Sequence, residues 1–396
     1  MPVDGHWAPI SHKLNMRALA RAIVADIRYG NNPNGPLHLE PYYVLDPSVL
    51  VSYTSLSPSG PALAAPITSP SESDAPPVLP STVRTLASSL VSSVVPLGMD
   101  AATEDFVRTV CLRSRAMYAL KDMAHTLLTT CFLSATNAST LLGKGTMWVL
   151  STHQIGTLLR AADHAATTDR MGMLASPDPL AWDALNLPRP DEWSTWDADP
   201  LPRGTLLDVG AGAGSVTAQL APYATTVVAT ETAAMNVWSL KNYGFAALSS
   251  GTLHDHELRA ALEGAGHVTD PQSPLTFDIV SCFNVLDRCD TPVSLLNQMV
   301  SLLNPHSGRL ILSIVLPYHA SVEVGGGWET PSEFLQAPFD DNAPFESWVL
   351  WFVATFLTPA GLQVLSWSRV PYISPGNSHH AFFVLYNAVF VCGHAP

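Results

Sequence analysis

The sequence predicts an α/β fold: a doubly wound, mostly parallel, seven-stranded sheet with a helical N-terminal extension. Three observations carry that expectation. An apolar run, Leu206-Leu207-Asp208-Val209, ends in the glycine turn Gly210-Ala211-Gly212-Ala213-Gly214 and opens into a helical pattern. A second apolar run, Thr226 to Thr230, ends in an acid, Glu231. From Gly204 to the C-terminus strand and helix patterns alternate, which means a parallel sheet with helices on both faces.

The spacing predicts strands at 205–209 and 225–230, with helices at 214–221 and 233–242. A short strand follows near 245–248, then a strand over Phe277–Phe283, a helix at 292–303 and a strand at Arg309–Val315. A long apolar helix is expected at 346–358. Its run Trp348 to Leu357 is too short to span a bilayer, which needs about 20 residues, and reads as buried. Strands at 362–369 and 382–392 are separated only by Pro371–His380, so they should pair as a hairpin.

Four segments follow from the pattern. Residues 1–102 read as a variable N-terminal extension, with a helical stretch near Asn15–Tyr29 and a Ser/Pro/Ala-rich linker at 57–82. Residues 103–164 read as a helical segment packing on the core. Phe106, Val110, Met117, Leu120, Leu127, Leu128 and Phe132 keep helical spacing there, and Ser151-Thr152-His153-Gln154 is a helix start. Residues 165–203, rich in Asp, Pro and Trp, read as an inserted loop, a length uncommon inside compact domains. Residues 204–396 form the core.

Composition narrows the function. Hydrophobic residues make up 47% of the 396, enough for a sizeable core. The net charge is −14, so the chain is a poor general binder of nucleic acid, whose phosphates need Lys and Arg. A small molecule or a neutral or basic polypeptide is the more natural partner. The five cysteines show no zinc spacing and read as reduced, packed thiols. With no secretory signal at Met1–His6, the expectation is an intracellular, cytoplasmic protein without a metal and without a membrane span.

A dinucleotide fingerprint reads G-x-G-x-x-G; here the spacing is G-x-G-x-G, with Asp208 two residues before the first glycine. That variant suits S-adenosylmethionine (SAM), which has no pyrophosphate. Gly210 and Gly212 would let the backbone approach the ligand. Asp208 would anchor its ammonium group, directly or through water, and Glu231 would take both ribose hydroxyls. The bland alternatives are a tight turn without a ligand and a solvated strand-end acid. Asn284 and Asp287 follow the strand ending at Phe283, where ligands of open α/β sheets sit. Asp290 or Thr291 reads as a helix N-cap with Pro292 at the first position, and capping alone accounts for Asp290. His254-Asp255-His256 reads as a loop or helix start. Gly325-Gly326-Gly327-Trp328 reads equally as a lid or a floppy loop, and Lys144 lacks the context of a phosphate-binding loop.

The reversed last strand gives the layout of class I methyltransferases, and several strings sharpen the likeness. These are Leu142–Met147, LLDVGAGAG at 206–214, ATE at 229–231 with Trp238, and SCFNVLDRCDTP at 281–292. ILSIVLPYH at 311–319, GGGWETPSE at 325–333 and RVPY at 369–372 complete them. On these strings the chain resembles the DREV (methyltransferase-like protein 9) family of protein-histidine methyltransferases over about residues 104–396, the insert excepted. The resemblance implies SAM as methyl donor, S-adenosylhomocysteine as product, and transfer to the pros nitrogen of histidine in protein or peptide His-x-His motifs. It places Asp208, Gly210, Gly212 and Glu231 on SAM, and Asn284, Asp287 and Tyr372 on the target imidazole and its neighbouring histidine. One departure is Ala213, where the family usually has Asp. A small-molecule methyltransferase and a non-catalytic SAM-binding module are the rival readings; an NAD-dependent dehydrogenase is disfavoured by the glycine spacing.

Overall fold

Seven strands form one sheet in the computed structural model, which describes residues 39–54, 67–68, 80–111, 115–131, 133–167, 201–324, 327–377 and 380–396. They are β1 (Thr205–Val209), β2 (Thr226–Glu231), β3 (Ala246–Ser249), β4 (Ile279–Phe283), β5 (Arg309–Val315), β6 (Leu362–Pro375) and β7 (Phe382–His394). Their order across the sheet is β6-β7-β5-β4-β1-β2-β3. β1 to β5 pair in parallel, and β7 runs antiparallel to both β5 and β6. The order reverses between β1 and β4, which makes their carboxyl ends the switch point where such sheets bind ligands.

Every residue of β1 is buried, as a central parallel strand covered on both faces requires. Side chains alternate between the faces. Leu207 and Val209 join Val280, Leu310, Leu312 and Trp351 in one core; Leu206 joins Ile279, Ile311, Val389 and Val391 in the other.

Chain from before the sheet completes both layers. It forms α1 (Pro47–Thr54), α2 (Pro80–Ser93), α3 (Ala101–Phe106), α4 (Arg115–Cys131), α5 (Ala135–Leu141) and α6 (Thr152–Thr167). The expected start of α6 is a capping box: the Gln154 N–H donates to Ser151 Oγ at 3.0 Å, and the Ser151 N–H to Gln154 Oε1 at 2.9 Å. Ile155, Leu158 and Leu159 then face the sheet. α2 begins at Pro80, inside the span read as linker. Its apolar stripe, Val83, Ala87 and Leu90, is buried although Ser and Thr dominate the surrounding composition. The Val95 N–H donates to Trp367 O at 2.8 Å, and Trp148 and Ile373 exchange two backbone bonds of 2.9 Å. These contacts occupy part of the backbone that β6 would otherwise leave open as an edge strand. The helix expected near Asn15–Tyr29, residues 57–66 and 69–79 of the linker, and residues 168–200 of the insert lie outside the described residues.

Within the core, α7 (Ser215–Leu220), α8 (Ala234–Asn242), α9 (Asp255–Gly264) and α10 (Pro292–Ser301) follow β1 to β4 in turn. α11 (Phe345–Phe352) continues into a wider turn over Val353–Leu357, buried throughout. No described helix is long and apolar enough to cross a membrane. α9 was not foreseen as a helix of its own. Only Leu258 and Leu262 are buried in it, too few to stand out as periodicity, and His254-Asp255-His256 is its start. β6 runs six residues beyond the expected Arg369, because pairing with β7 continues to Pro375 opposite Phe382. Pro371 and Tyr372 therefore lie in a strand and not in the connecting turn. Asp290 does not cap α10. Its carboxylate accepts the Ser332 N–H (2.8 Å) and hydroxyl (2.7 Å), while Glu333 Oε2 takes the Ser294 N–H at 2.9 Å, in the first turn of α10. Cys111, Cys282, Cys289 and Cys392 are free thiols.

Candidate active site

The glycine turn leaves β1 with positive φ at Gly210 (68°) and Gly212 (56°), a conformation that side-chain-bearing residues rarely adopt. Gly210 has a second reason to be glycine: a Cβ there would meet Val285 Cγ2 at 2.5 Å. The missing side chain lets the loop after β4 close onto the turn. At Gly212 a Cβ would meet nothing within 4 Å, so this part of the turn faces open space.

Glu231 ends β2 beside that space. Its Oε2 accepts the Gly212 N–H at 2.9 Å; its Oε1 accepts the N–H of Thr232 at 2.7 Å and of Ala233 at 3.1 Å. Fixed in this way, the carboxylate keeps lone pairs for hydroxyl donors. Asp208 lies deeper, 2% exposed. Ser281 Oγ donates to its Oδ1 at 2.7 Å and Thr217 Oγ1 to its Oδ2 at 2.6 Å. Burial, with Glu231 adding repulsion against the pull of the two hydroxyls, pushes the Asp208 carboxyl up to about 6. Two neighbouring carboxylates, one buried and held by hydroxyls alone, make an environment that a cation relieves. SAM carries a sulfonium and an ammonium, and the residues present fit it.

Helical chain covers this cradle. Ser215 Oγ donates to Met147 O at 2.7 Å, and the Met235 N–H donates to Asn137 Oδ1 at 2.9 Å. The turn at Leu142–Met147 and the start of α5 are thereby tied to the N-terminal ends of α7 and α8.

On the other side of the switch point, the loop after β4 is held at every step. The Asn284 N–H donates to Ser313 O (2.9 Å), the Tyr318 hydroxyl to Leu286 O (3.2 Å) and the Ser321 N–H to Asp287 O (2.9 Å). Asn284 and Asp287 are each 6% exposed, yet Asn284 Nδ2 and Asp287 Oδ1 have no hydrogen-bond partner among the described residues. A buried orphan donor and a buried orphan acceptor on one rigid loop are what a polar substrate would complete. Burial holds the Asp287 carboxyl above its ordinary range, opposed by the Arg288 guanidinium, whose Nε stands 3.5 Å from Asp287 Oδ2. The same guanidinium lies 5.8 Å from the centre of the Tyr372 ring. Arg288 thus joins Asp287 to Tyr372, while Asn284 is held by Ser313. Burial, reinforced by Asp287, pushes the Cys289 thiol up to about 12, which keeps it from being a thiolate that competes for a methyl group.

The fold sets Asp208, Gly210, Gly212 and Glu231 at the ends of β1 and β2, and Arg288 links Asp287 to Tyr372, which the resemblance alone had named; the sequence offered all of these except Arg288 as candidates. It did not single out Arg288, Ser313 or Asn387. For the last two, a polar residue inside an apolar strand was the available signal. Arg288 leads to a prediction. Arg288→Gln removes the charge that favours ionised Asp287, so the carboxyl rises further. If ionised Asp287 is the working form, turnover falls as pH drops through this group. The acid limb of kcat against pH is then expected to move to higher pH in the variant; an unmoved limb would show that Asp287 does not titrate in turnover.

A reversed seventh strand on an otherwise parallel sheet, with a glycine turn at its switch point, defines the class I methyltransferase fold. The chain belongs to the DREV methyltransferase family, whose family model matches residues 192–394, and that membership assigns SAM as its cofactor. Among curated proteins, the mitochondrial ubiquinone biosynthesis O-methyltransferase of Schizosaccharomyces pombe (strain 972 / ATCC 24843) is 32% identical over 111 residues, 28% of this chain. The match spans 37% of that relative's length. Solved structures with a similar fold include the DhpI–SAH complex, with a TM-score of 0.27 and 18% identity over 49% of this chain and 78% of its own. Ribosomal protein L11 methylase from Lactobacillus delbrueckii subsp. bulgaricus gives 0.28 and 16% over 51% and 74%. The fold assignment rests on the strand order.

Proposed function

We propose that this methyltransferase acts on histidine side chains of His-x-His peptides and methylates the pros nitrogen. The observation that supports this most is the orphan pair on the loop after β4: a buried carboxylate oxygen, Asp287 Oδ1, without a donor among the described residues, close in sequence to a buried amide donor without an acceptor among them. A neutral imidazole has one N–H and one lone pair. For the pros nitrogen to attack, the proton must sit on the tele nitrogen. Asp287 Oδ1 accepts that N–H, which fixes the tautomer, aims the pros lone pair and stabilises the positive charge that the ring gains. An aspartate orients the histidine of a Ser-His-Asp triad in the same way.

Bound SAM supplies an electrophilic methyl on a sulfonium. The pros nitrogen would form its bond to that carbon, with the electron pair of the S–C bond left on the departing sulfur. The tele proton then leaves the methylated ring by way of Asp287 to solvent. Imidazole has an ordinary pKa of about 6.5 and needs no strong base, so positioning carries the catalysis. Asn284 and Tyr372 serve as positioning contacts for the peptide. Glu231 would hold the ribose hydroxyls, Gly210 and Gly212 would let the backbone approach the cofactor, and Asp208 would supply negative charge for its ammonium group.

Peptides test the reading. Methyl transfer is expected to a His-Ala-His peptide and to be strongly reduced with His-Ala-Ala. Equal rates on both, or transfer to small metabolites and to neither peptide, would overturn it.

A further inference from the structure

Asn284 is the one described residue other than glycine with positive φ, 55°. Its side chain is held as tightly as its backbone. Asn284 Oδ1 accepts from Ser313 Oγ at 3.1 Å, and Ser313 Oγ accepts from Asn387 Nδ2 at 2.7 Å. Ser313 lies in β5 and Asn387 in β7, 1% and 0% exposed. Their neighbours Leu312, Ile314, Ala388 and Val389 are buried and apolar. A chain of polar groups therefore runs from inside the sheet to the loop after β4. Asn387 Oδ1 and Asn284 Nδ2, its two ends, have no partner among the described residues. Such a chain is costly in an apolar core and is not required by the strand ladder, which uses backbone groups.

We propose that Ser313 and Asn387 are positioning residues that choose which end of the Asn284 carboxamide meets the substrate; the role rests on the assignment of the loop after β4 to the methyl acceptor. A serine hydroxyl has one proton to give. Because Asn387 Nδ2 donates to Ser313 Oγ, the Ser313 proton goes to Asn284 Oδ1, and Asn284 Nδ2 is left to face the substrate as a donor. Reversed, the same chain would present Asn284 Oδ1 as an acceptor. The observed direction selects an acceptor atom of the peptide: a carbonyl, or an unprotonated ring nitrogen other than the one attacking the methyl. A protonated imidazolium is refused at that position.

Asn387→Asp tests the direction. An ionised carboxylate can only accept, so Ser313 must turn its proton to it and accept from Asn284 Nδ2. Lowering the pH protonates the carboxyl and lets it donate again. Ser313→Ala breaks the chain and is the smaller change, for the case in which Asn387→Asp does not fold. The readouts are the side-chain amide resonances of Asn284, assigned by their loss in Asn284→Ala, together with kcat, KM for the His-Ala-His peptide and SAM affinity. In Asn387→Asp at about pH 8, one Nδ2 proton is expected to move downfield and peptide KM to rise about tenfold, with SAM affinity unchanged and the loss shrinking at lower pH. Ser313→Ala is expected to shift the same resonances and raise KM without a pH dependence. Unmoved Asn284 resonances in both variants, or a loss confined to stability, would overturn the proposal. The amide resonances report on the chain even if the wild type fails to methylate the peptide, so failure of the histidine reading is seen separately.

Discussion

Asp287→Asn is expected to bind SAM as the wild type does and to lose methyl transfer by about 10²–10⁴-fold. The substitution keeps the shape of the side chain and the fold of a loop already pinned by Ser313, Tyr318 and Ser321. On the proposed function, it removes the negative charge that would stabilise the imidazolium formed on attack. It also lets the amide turn an N–H toward the ring, which favours the wrong tautomer. The loss should appear in kcat, because the interaction is strongest once the ring carries charge. Single-turnover rates and cofactor titration check both halves. Unimpaired turnover would remove Asp287 from the chemistry, and lost SAM binding would place its role on the cofactor side.

Asp208→Asn carries the second large effect, and its sign is opposite for stability and for binding. The folded Asp208 carboxyl sits at about 6, above its ordinary 3.8, so between these values the folded protein holds a proton that the unfolded chain has lost. Stability contributed by this group declines as pH climbs through that window, and the full penalty stands above it. The displacement corresponds to at most roughly 3 kcal/mol at neutral pH. A neutral Asn still meets both hydroxyls, accepting from one and donating to the other, since Ser281 and Thr217 can rotate. Without cofactor, Asp208→Asn is expected to be more stable than the wild type in denaturant at about pH 7.5, with the gain fading toward about pH 4. SAM should bind the variant more weakly. The wild type should bind SAM more tightly as pH rises through about 6, a dependence the variant lacks. A stability difference that does not vary with pH would contradict the burial argument.

The central strands could be read from the sequence because the middle of a parallel sheet is apolar on both faces. Leu206-Leu207 and Ile279-Val280 announce themselves. The ends of those strands singled out Asp208, Glu231, Asn284 and Asp287 as candidates, since ligands of this architecture sit at the carboxyl ends of its strands. Short-range pattern failed where the deciding contact is remote. α2 was hidden by its serines, because burial of Val83 and Leu90 depends on surfaces far along the chain. Asp290 looked like a cap, but Ser332 claims its carboxylate and Glu333 reaches α10 from 39 residues on. The chain from Asn387 through Ser313 to Asn284 spans separations of 74 and 29 residues, and no local spacing encodes it.

The most direct test of the account is to hydrolyse a His-Ala-His peptide after reaction with labelled SAM and to separate the methylhistidines against pros and tele standards. All label in the pros isomer is the predicted result, with little or none made by Asp287→Asn. Label in the tele isomer, or in a residue other than histidine, would contradict the assignment of Asp287 to the tele N–H.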